Sequence, residues 1–390
     1  MSFDARVLQD IFTHSVSPRE ASGNDTTHSP TALEFFAGSG LVSFALKRFF
    51  SVVWANDICQ KKAAVYKANH KQNTLIQDSI ENVRGVDLPS AMLSWASFPC
   101  QDLSLAGLIG GIGAKRSGLV WEWLRVIDEM KRPPPILVAE NVVGLVSADG
   151  GVHYKNLHAA LVARNYRVGA ILLDAINWIP QSRPRIFVIA VSRDIEIPPT
   201  LLGPERNWLH SDAIVRAAEG LQDWLWWHLP KPALRKLSLS DLVEHDAPVD
   251  GPDATRRNLS MIPKKHRDYI AASNLDVFPG YKRTRKTGQM LELRFDGVAG
   301  CLRTPEGGSS RQVLVIRHGT GLKTRLLTAR ETARLMGAPD SYKLPGSYND
   351  GYRAMGDAVA VPVAKWLARY LLAPLAATKE LHEKTKAREG

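Results

Sequence analysis

The sequence predicts an α/β protein: a doubly wound, mostly parallel sheet with a second, irregular lobe. Three observations carry that expectation. From Thr31 to Ser192, short apolar runs alternate with helix-length amphipathic segments, the rhythm of a parallel sheet covered on both faces. After about Arg193 the rhythm breaks into a stretch rich in tryptophan, proline and basic residues, and near Leu322 it returns. The residues with chemical potential fall just after the apolar runs, at the carboxyl ends of strands, where open α/β sheets bind ligands.

Taken in order, "TALEFFA" (31–37) reads as a buried strand, followed by a glycine turn and the amphipathic "GLVSFALKRFF" (40–50). "SVVWAND" is a second strand with the helix "KKAAVYKANH" behind it, and "NTLIQD" a short third strand. "AMLSWASF" is the fourth, followed by a loop and the helix-like "GLVWEWLRVIDEMK". "PPILVAEN", the helix "YKNLHAALVARN", "YRVGAILLD" and "IFVIAVS" complete the half. Beyond the break, "KTRLLTARETARLMGAPDSY" has helical periodicity. Val363, Trp366, Leu367, Tyr370 and Leu371 mark a helix with one buried face, which Pro374 is expected to stop because it has no N–H for the ladder. The expected division is a flexible lead-in (1–30), the first part of the sheet domain (31–194), a separate lobe (195–320), a return to the sheet domain (321–375) and a charged tail (376–390).

Composition narrows the class. At 390 residues and 45% hydrophobic, the chain can bury a sizeable core. No apolar run reaches the roughly 18 residues of a membrane helix, and the first thirty residues hold no long apolar segment of the signal-peptide kind. Cys59, Cys100 and Cys301 are too few and too scattered for a disulfide framework or a zinc site, so a reducing, cytoplasmic setting is expected. The net charge of +11 favours an acidic partner such as nucleic acid. Between Arg256 and Arg294, ten Lys/Arg face three acids, interleaved with Tyr269, Phe278 and Tyr281, which suits a phosphate-tracking surface.

Four stretches carry chemistry. "EFFAGSG" (34–40) puts glycines directly after a strand, either a mere tight turn or a close backbone approach to a ligand. Asp57 ends the next strand and is placed to accept from ribose hydroxyls, and Asp78 after the third is placed to bind an adenine amino group; each alone reads equally as a turn residue or cap. Together they describe a pocket for a nucleoside-bearing cofactor, without the full dinucleotide fingerprint. In "SFPCQDLSLAG", Cys100 follows the fourth strand between Pro99 and Gln101. A small buried hydrophobe is the commoner fate of a cysteine, yet the glycines from Gly107 to Gly118 suit a loop that carries a nucleophile. Glu140 ends the next strand as a candidate acid, or as a plain cap or ion-pair partner. In "QSRPR" (181–185), Arg183 and Arg185 share one face of an extended segment, as surface charges or as a clamp on an anionic or carbonyl-bearing substrate.

This ordered set resembles the DNA cytosine-5 methyltransferases that use S-adenosylmethionine. "FAGSG" corresponds to the family's cofactor motif, "PCQ" to the nucleophile motif, "ENV" to the catalytic glutamate and "QSRPR" to the paired arginines. "LLTARETARLMGAPDSY" corresponds to the motif behind the recognition lobe, and "GDAVAVPV" to the last motif. The resemblance runs from Thr31 to Leu372. It implies that Cys100, Glu140, Arg183 and Arg185 are catalytic. It implies a site for S-adenosylmethionine, released as S-adenosylhomocysteine, built from Phe36, Gly38, Ser39, Gly40, Asp57, Ile58, Asp78, Ser79, Pro99, Leu119, Asp357, Ala358 and Val359. It further implies DNA contacts from Gln101, Ser104, Arg116 and Ser117 in a loop that closes over the target, and from Arg283, Arg285, Arg303 and Arg311 in the recognition lobe. No metal is needed.

The mechanism implied is addition of the Cys100 thiolate to carbon 6 of a cytosine, which makes carbon 5 nucleophilic, while Glu140 steadies the ring. The base must first leave the helix stack. Three positions depart from the family pattern: Asp57 replaces the more frequent Glu, Asp357 the usual Asn, and Cys301-Leu302 a Thr-Leu pair, with Cys301 expected to be packed. The implied partner is double-stranded DNA, read by a monomer at the bacterial nucleoid, with a cognate restriction endonuclease acting independently. The rival readings are a tRNA methyltransferase, a catalytically inactive DNA-binding regulator, and a thymidylate-synthase-like enzyme, which would leave the motif order unexplained.

Overall fold

The structure, a computed structural model, describes residues 29–70, 74–99, 118–286, 288–304, 311–319 and 321–378. Seven strands form the main sheet: β1 (Thr31–Phe35), β2 (Ser51–Asn56), β3 (Leu75–Ile76), β4 (Leu93–Ala96), β5 (Ile136–Asn141), β6 (Tyr166–Asp174) and β7 (Pro184–Ser192). Their order is β3-β2-β1-β4-β5-β7-β6. All pairings are parallel except those of β7, which runs against both β5 and β6. Every residue of β4 and β5 is buried, as the unbroken apolar runs of a sheet covered on two faces require. The strand order reverses between β1 and β4, which opens a crevice at their carboxyl ends.

Among the flanking helices, α1 (Leu41–Leu46) is shorter than its eleven-residue apolar segment suggests. The amides of Phe49 and Phe50 both bond the Leu46 carbonyl, turning the chain so that Ser51 meets Pro30 as β2 begins. Helices α2 (Gln60–Asn69), α3 (Leu119–Glu129), α4 (Gly144–Ser147) and α5 (Val152–Val162) follow. In α3, Val120, Trp123, Leu124, Val126 and Ile127 form the buried face.

The expected lobe boundary near residue 195 does not coincide with the packing. Ile195, Leu209, Trp227, Leu239 and Val243 belong to the same core as Leu93 and Ile189 of the main sheet, and Trp208 meets Trp366 at 5.8 Å. The tryptophans that break the strand–helix rhythm therefore clamp an irregular segment, with the short α6 (Asp212–Ala218), onto the catalytic body. A separate core, built from Ile262, Ile270, Phe278, Leu291, Leu293, Val313 and Val315, marks the second lobe. It holds α7 (Pro252–Ser260), α8 (Lys264–Ala272) and an antiparallel sheet. That sheet contains β8 (Val277–Arg285), β9 (Gly288–Leu293), β10 (Gln312–His318) and β11 (Gly321–Leu326), in the order β11-β10-β8-β9.

The return to the main body also differs from expectation. Residues 321–326 pair with β10 rather than coil, and the helix starts only at α9 (Ala329–Leu335), behind a Thr328–Glu331 capping box. Arg325 of β11 binds Glu331 in a fully buried ion pair at 2.6 Å, so lobe and body share a charged seam. After α10 (Tyr348–Gly356) and α11 (Val361–Leu367), helical structure continues through Pro374 to residue 378. A π-helical turn over Ala368–Leu372 puts the Ala373 N–H on the Ala368 carbonyl, widening the ladder just where proline brings no donor. Leu371, Leu372 and Leu375 of this segment are fully buried against the core.

Candidate active site

The crevice is a cavity of about 720 Å³ between the ends of β1, β2, β4 and β5, the start of β7 and the segment that follows α10. On one side β1 runs into the turn around Phe36 and Gly38. Both have positive φ (56° each), and the Gly38 N–H donates to Asp57 Oδ2 at 2.8 Å. The other Asp57 oxygen accepts from the Cys59 N–H at 2.8 Å, so this carboxylate is aimed by backbone amides. Asp78 accepts from the Ser79 N–H and from Asn82, leaving its second oxygen beside the cavity. Ile58, 70% exposed, presents bare hydrocarbon at the same wall, a surface suited to the face of a purine ring. Leu119, Ala358 and Val359 line it too.

Two expected cofactor residues lie behind this wall. Ser39 is buried with its hydroxyl on the Ala354 carbonyl at 3.0 Å. Gly40 (φ 81°) is packed so closely that a Cβ would sit 2.5 Å from His70 and 2.7 Å from Tyr66. Their work is to seat the turn.

The other side holds the reacting groups. The parallel register pairs Ala96 with Ala139, so residues 97–99 leave β4 alongside Glu140. Asn141 donates to the Phe98 carbonyl at 3.0 Å and pins the chain just before Pro99, which lines the cavity. Cys100 follows directly in the chain; it, Gln101, Ser104, Arg116 and Ser117 lie outside the described residues. Glu140 is 6% exposed. Burial raises its carboxyl above the usual range, and the Arg185 and Arg183 charges with a hydrogen bond to Ser97 only partly oppose that. Arg185 Nε stands 3.2 Å from Glu140 Oε1.

Arg183 and Arg185 do different things. Arg183 is 3% exposed, and its guanidinium donates to the carbonyls of Leu302 (3.1 Å), Gly356 (2.9 Å) and Ala358 (2.7 Å). Burial, then the nearby Arg185, pull it down to about 10. It therefore ties Leu302 to the segment after α10, while Arg185 is the arginine that pairs with the candidate acid. Cys301 is not simply packed. Its sulfur lies 3.3 Å from Arg183 Nη1 and about 4 Å from Arg185, at the cavity wall. Burial acts to raise this thiol, but the two guanidinium charges outweigh it and leave it below the usual thiol range.

The recognition-lobe arginines divide as well. Arg303 lines the cavity and lies over the Tyr281 ring at 5.7 Å, and Arg283 lies over the same ring at 5.2 Å. Arg285 is paired across the hairpin with Glu292 at 2.7 and 2.9 Å. Arg311 donates to Asn349 at 2.6 Å, away from the cavity wall. Of the interleaved aromatics, Phe278 is in the lobe's core and Tyr281 is nearly so, which leaves Tyr269 exposed.

Glu34 was missed from the sequence. It lines the cavity at 1% exposure, takes a hydrogen bond from the Ser43 hydroxyl, and burial pushes its carboxyl up to about 8. A lone acid inside the apolar "TALEFF" was the available signal. Asn141 stands inside the "ENV" motif with no role assigned to it, and Lys62, another polar group at the cavity, carries no local signal.

Comparison with known proteins agrees with this geometry. The family model described as C-5 cytosine-specific DNA methylase matches residues 31–373. Type II methyltransferase M.FnuDI of Fusobacterium nucleatum is 26% identical over 369 residues, covering 90% of this chain and 98% of the relative. Type II methyltransferase M.HhaI of Haemophilus parahaemolyticus is 26% identical over 341 residues, 86% and 92% of the two chains. Among solved structures, the S. pombe Dnmt2 methyltransferase shares the fold with a TM-score of 0.57 at 19% identity, covering 87% of this chain and 97% of that one. Because the family model matches most of its length, the chain belongs to the C-5 cytosine-specific DNA methylase family and is a methyltransferase of that class.

Proposed function

We propose that the protein transfers a methyl group from S-adenosylmethionine to carbon 5 of a cytosine flipped out of a specific double-stranded DNA sequence. The observation that carries this reading is the single cavity whose walls hold both the aimed Asp57–Gly38 turn and the Glu140–Arg185 pair, with Pro99 leading into Cys100. Asp57 and Asp78 would hold the hydroxyls and amino group of the adenosyl moiety, and Ile58 and Phe36 its ring. When bound, the cofactor supplies the methyl group.

The residues then act on the base. The Cys100 thiolate adds to carbon 6, and the electrons of the 5,6 double bond make carbon 5 the nucleophile. Glu140, whose carboxyl burial shifts upward, donates in its protonated form to ring nitrogen 3 and steadies the charge that the addition creates. Arg185 orients Glu140, and Arg183 braces the wall behind both. After carbon 5 has gained the methyl group it loses its proton, the double bond re-forms, and the carbon–sulfur bond breaks to free Cys100. Extrusion of the base costs a few kcal/mol, which contacts to the backbone by basic groups of the second lobe would offset. The relatives' type II designation supports a role in DNA modification in the cytoplasm, beside a separate endonuclease that cuts the same sequence.

Bisulfite sequencing of both DNA and tRNA from cells expressing the chain tests the proposal. Protected cytosines at one short sequence are expected. Protection confined to tRNA would favour the RNA substrate, and no protection with retained DNA binding would favour an inactive regulator.

A further inference from the structure

Asp357 sits at the C-terminal end of α10, where the helix dipole disfavours a negative charge. It is held there by two partners from different parts of the chain. Lys62 of α2 reaches it at 2.6 Å, Nζ to Oδ2, and the Thr304 hydroxyl donates to its other oxygen. All three residues line the cavity. The Lys62 and Asp357 side chains are only 19% and 31% exposed, so their fields reach into the cavity with reduced screening. The segment carrying Thr304 is pressed against α10: a Cβ on Gly356 would sit 2.7 Å from the Arg303 carbonyl oxygen.

We propose that Lys62 and Asp357 form a charge-matched pair that keeps this wall of the cavity neutral toward the net charge that distinguishes the sulfonium cofactor from its thioether product. The inference rests on the S-adenosylmethionine reading above. The cofactor carries a carboxylate, an ammonium and a sulfonium, net +1; the product lacks the sulfonium charge and is neutral overall. While the pair is intact its fields largely cancel, and the two ligands are distinguished by other contacts. Leaving either member alone adds one unit charge to the wall, and that charge acts on the ligand's net charge.

The test is calorimetric titration of the full-length protein, without DNA, with S-adenosylmethionine and with S-adenosylhomocysteine, taking the ratio of the two Kd values. Asp357→Asn leaves Lys62 uncompensated and is expected to shift the ratio against S-adenosylmethionine by about fivefold, one unit charge acting across a partly solvated cavity. Lys62→Met leaves Asp357 uncompensated and shifts the ratio in the opposite direction by a similar factor. The double variant returns it to within about twofold of wild type, and Lys62→Arg keeps it there.

A purely structural role would weaken both ligands together and leave the ratio fixed. Unchanged ratios in both single variants, or shifts of the same sign, overturn the pairing while leaving the cofactor reading intact. Failure of the wild-type protein to bind either ligand overturns the cofactor reading, and the inference with it. Should Asp357→Asn not fold, Lys62→Met alone decides, because relative tightening of S-adenosylmethionine is the reverse of general damage.

Discussion

The seven-stranded sheet and the four-stranded sheet place their polar residues by opposite rules. In the main sheet, strands β4 and β5 are buried throughout their length, and the cavity's charged groups Glu140 and Asp57 stand at the carboxyl ends of β5 and β2, beside Arg185 and the Gly38 amide. In the lobe's sheet, charges lie along the strands and pair across them, as Arg285 does with Glu292. A sheet covered on both faces confines polar chemistry to one edge and keeps it dry. One exposed on a face spreads it over a surface that water and salt can screen. The first arrangement suits covalent chemistry and the second suits contact with a long polyanion.

Substitutions should separate the two rules, the largest effect coming from the nucleophile. Cys100→Ser is expected to abolish methyl transfer, a loss beyond about 10³-fold, while leaving duplex binding in a filter or anisotropy assay intact. Glu140→Gln is expected to cost about 10²–10³-fold in kcat. Because the carboxyl is held above its usual range and acts protonated, wild-type activity should fall as pH rises through that raised value. The glutamine variant should lack that limb of the profile.

Arg183→Ala should act on the fold. Four contacts to buried carbonyls and a sulfur would go, and a loss of about 3–5 kcal/mol is expected in chemical denaturation. Arg185→Ala should lower kcat with a much smaller change in stability. Similar denaturation midpoints for the two would erase the distinction drawn between them.

Glu34 offers a pH test inside the main sheet. Its native carboxyl keeps its proton up to about 8, against 4.5 ordinarily. The folded state therefore binds more protons than the unfolded one between those values, and the stability it contributes below pH 4.5 is lost as pH rises toward 8. Glu34→Gln should raise Tm relative to wild type at pH 8 more than at pH 5. Arg285→Ala, at a solvated pair, should leave the chemical-denaturation midpoint essentially where it is in the wild type.

The same contrast explains what could be read from the chain. The main sheet was legible because burial on both faces writes continuous apolar runs, and because "AEN" and "AND" put chemistry at the ends of strands. The division of labour between Arg183 and Arg185 is not legible in the sequence: they stand two residues apart where the chain enters β7, and only the approach of residues 301–302 and 356–358 tells them apart. The tryptophan-rich segment around 208–227 read as a new lobe because its burial is made by contacts far away in sequence, with Trp366 among them. Residues 321–326 carry a helix-like pattern, but hydrogen bonding to β10 overrides it. Nothing local in "GCLRTP" announces the two arginines at the entrance to β7, so the surroundings of Cys301 are not legible in the sequence.

The central claim is that one cavity brings an attacking thiolate at position 100 to a base held by Glu140. The direct measurement is mass spectrometry of the protein incubated with S-adenosylmethionine and a duplex carrying 5-fluorocytosine at the modified position, where fluorine cannot leave as the proton does and the adduct is trapped. The account predicts a stoichiometric protein–DNA adduct whose cross-linked peptide contains Cys100 and which Cys100→Ser does not form. Methylation of the ordinary duplex with no adduct on the fluorinated one, or a cross-link at Cys301, would contradict it.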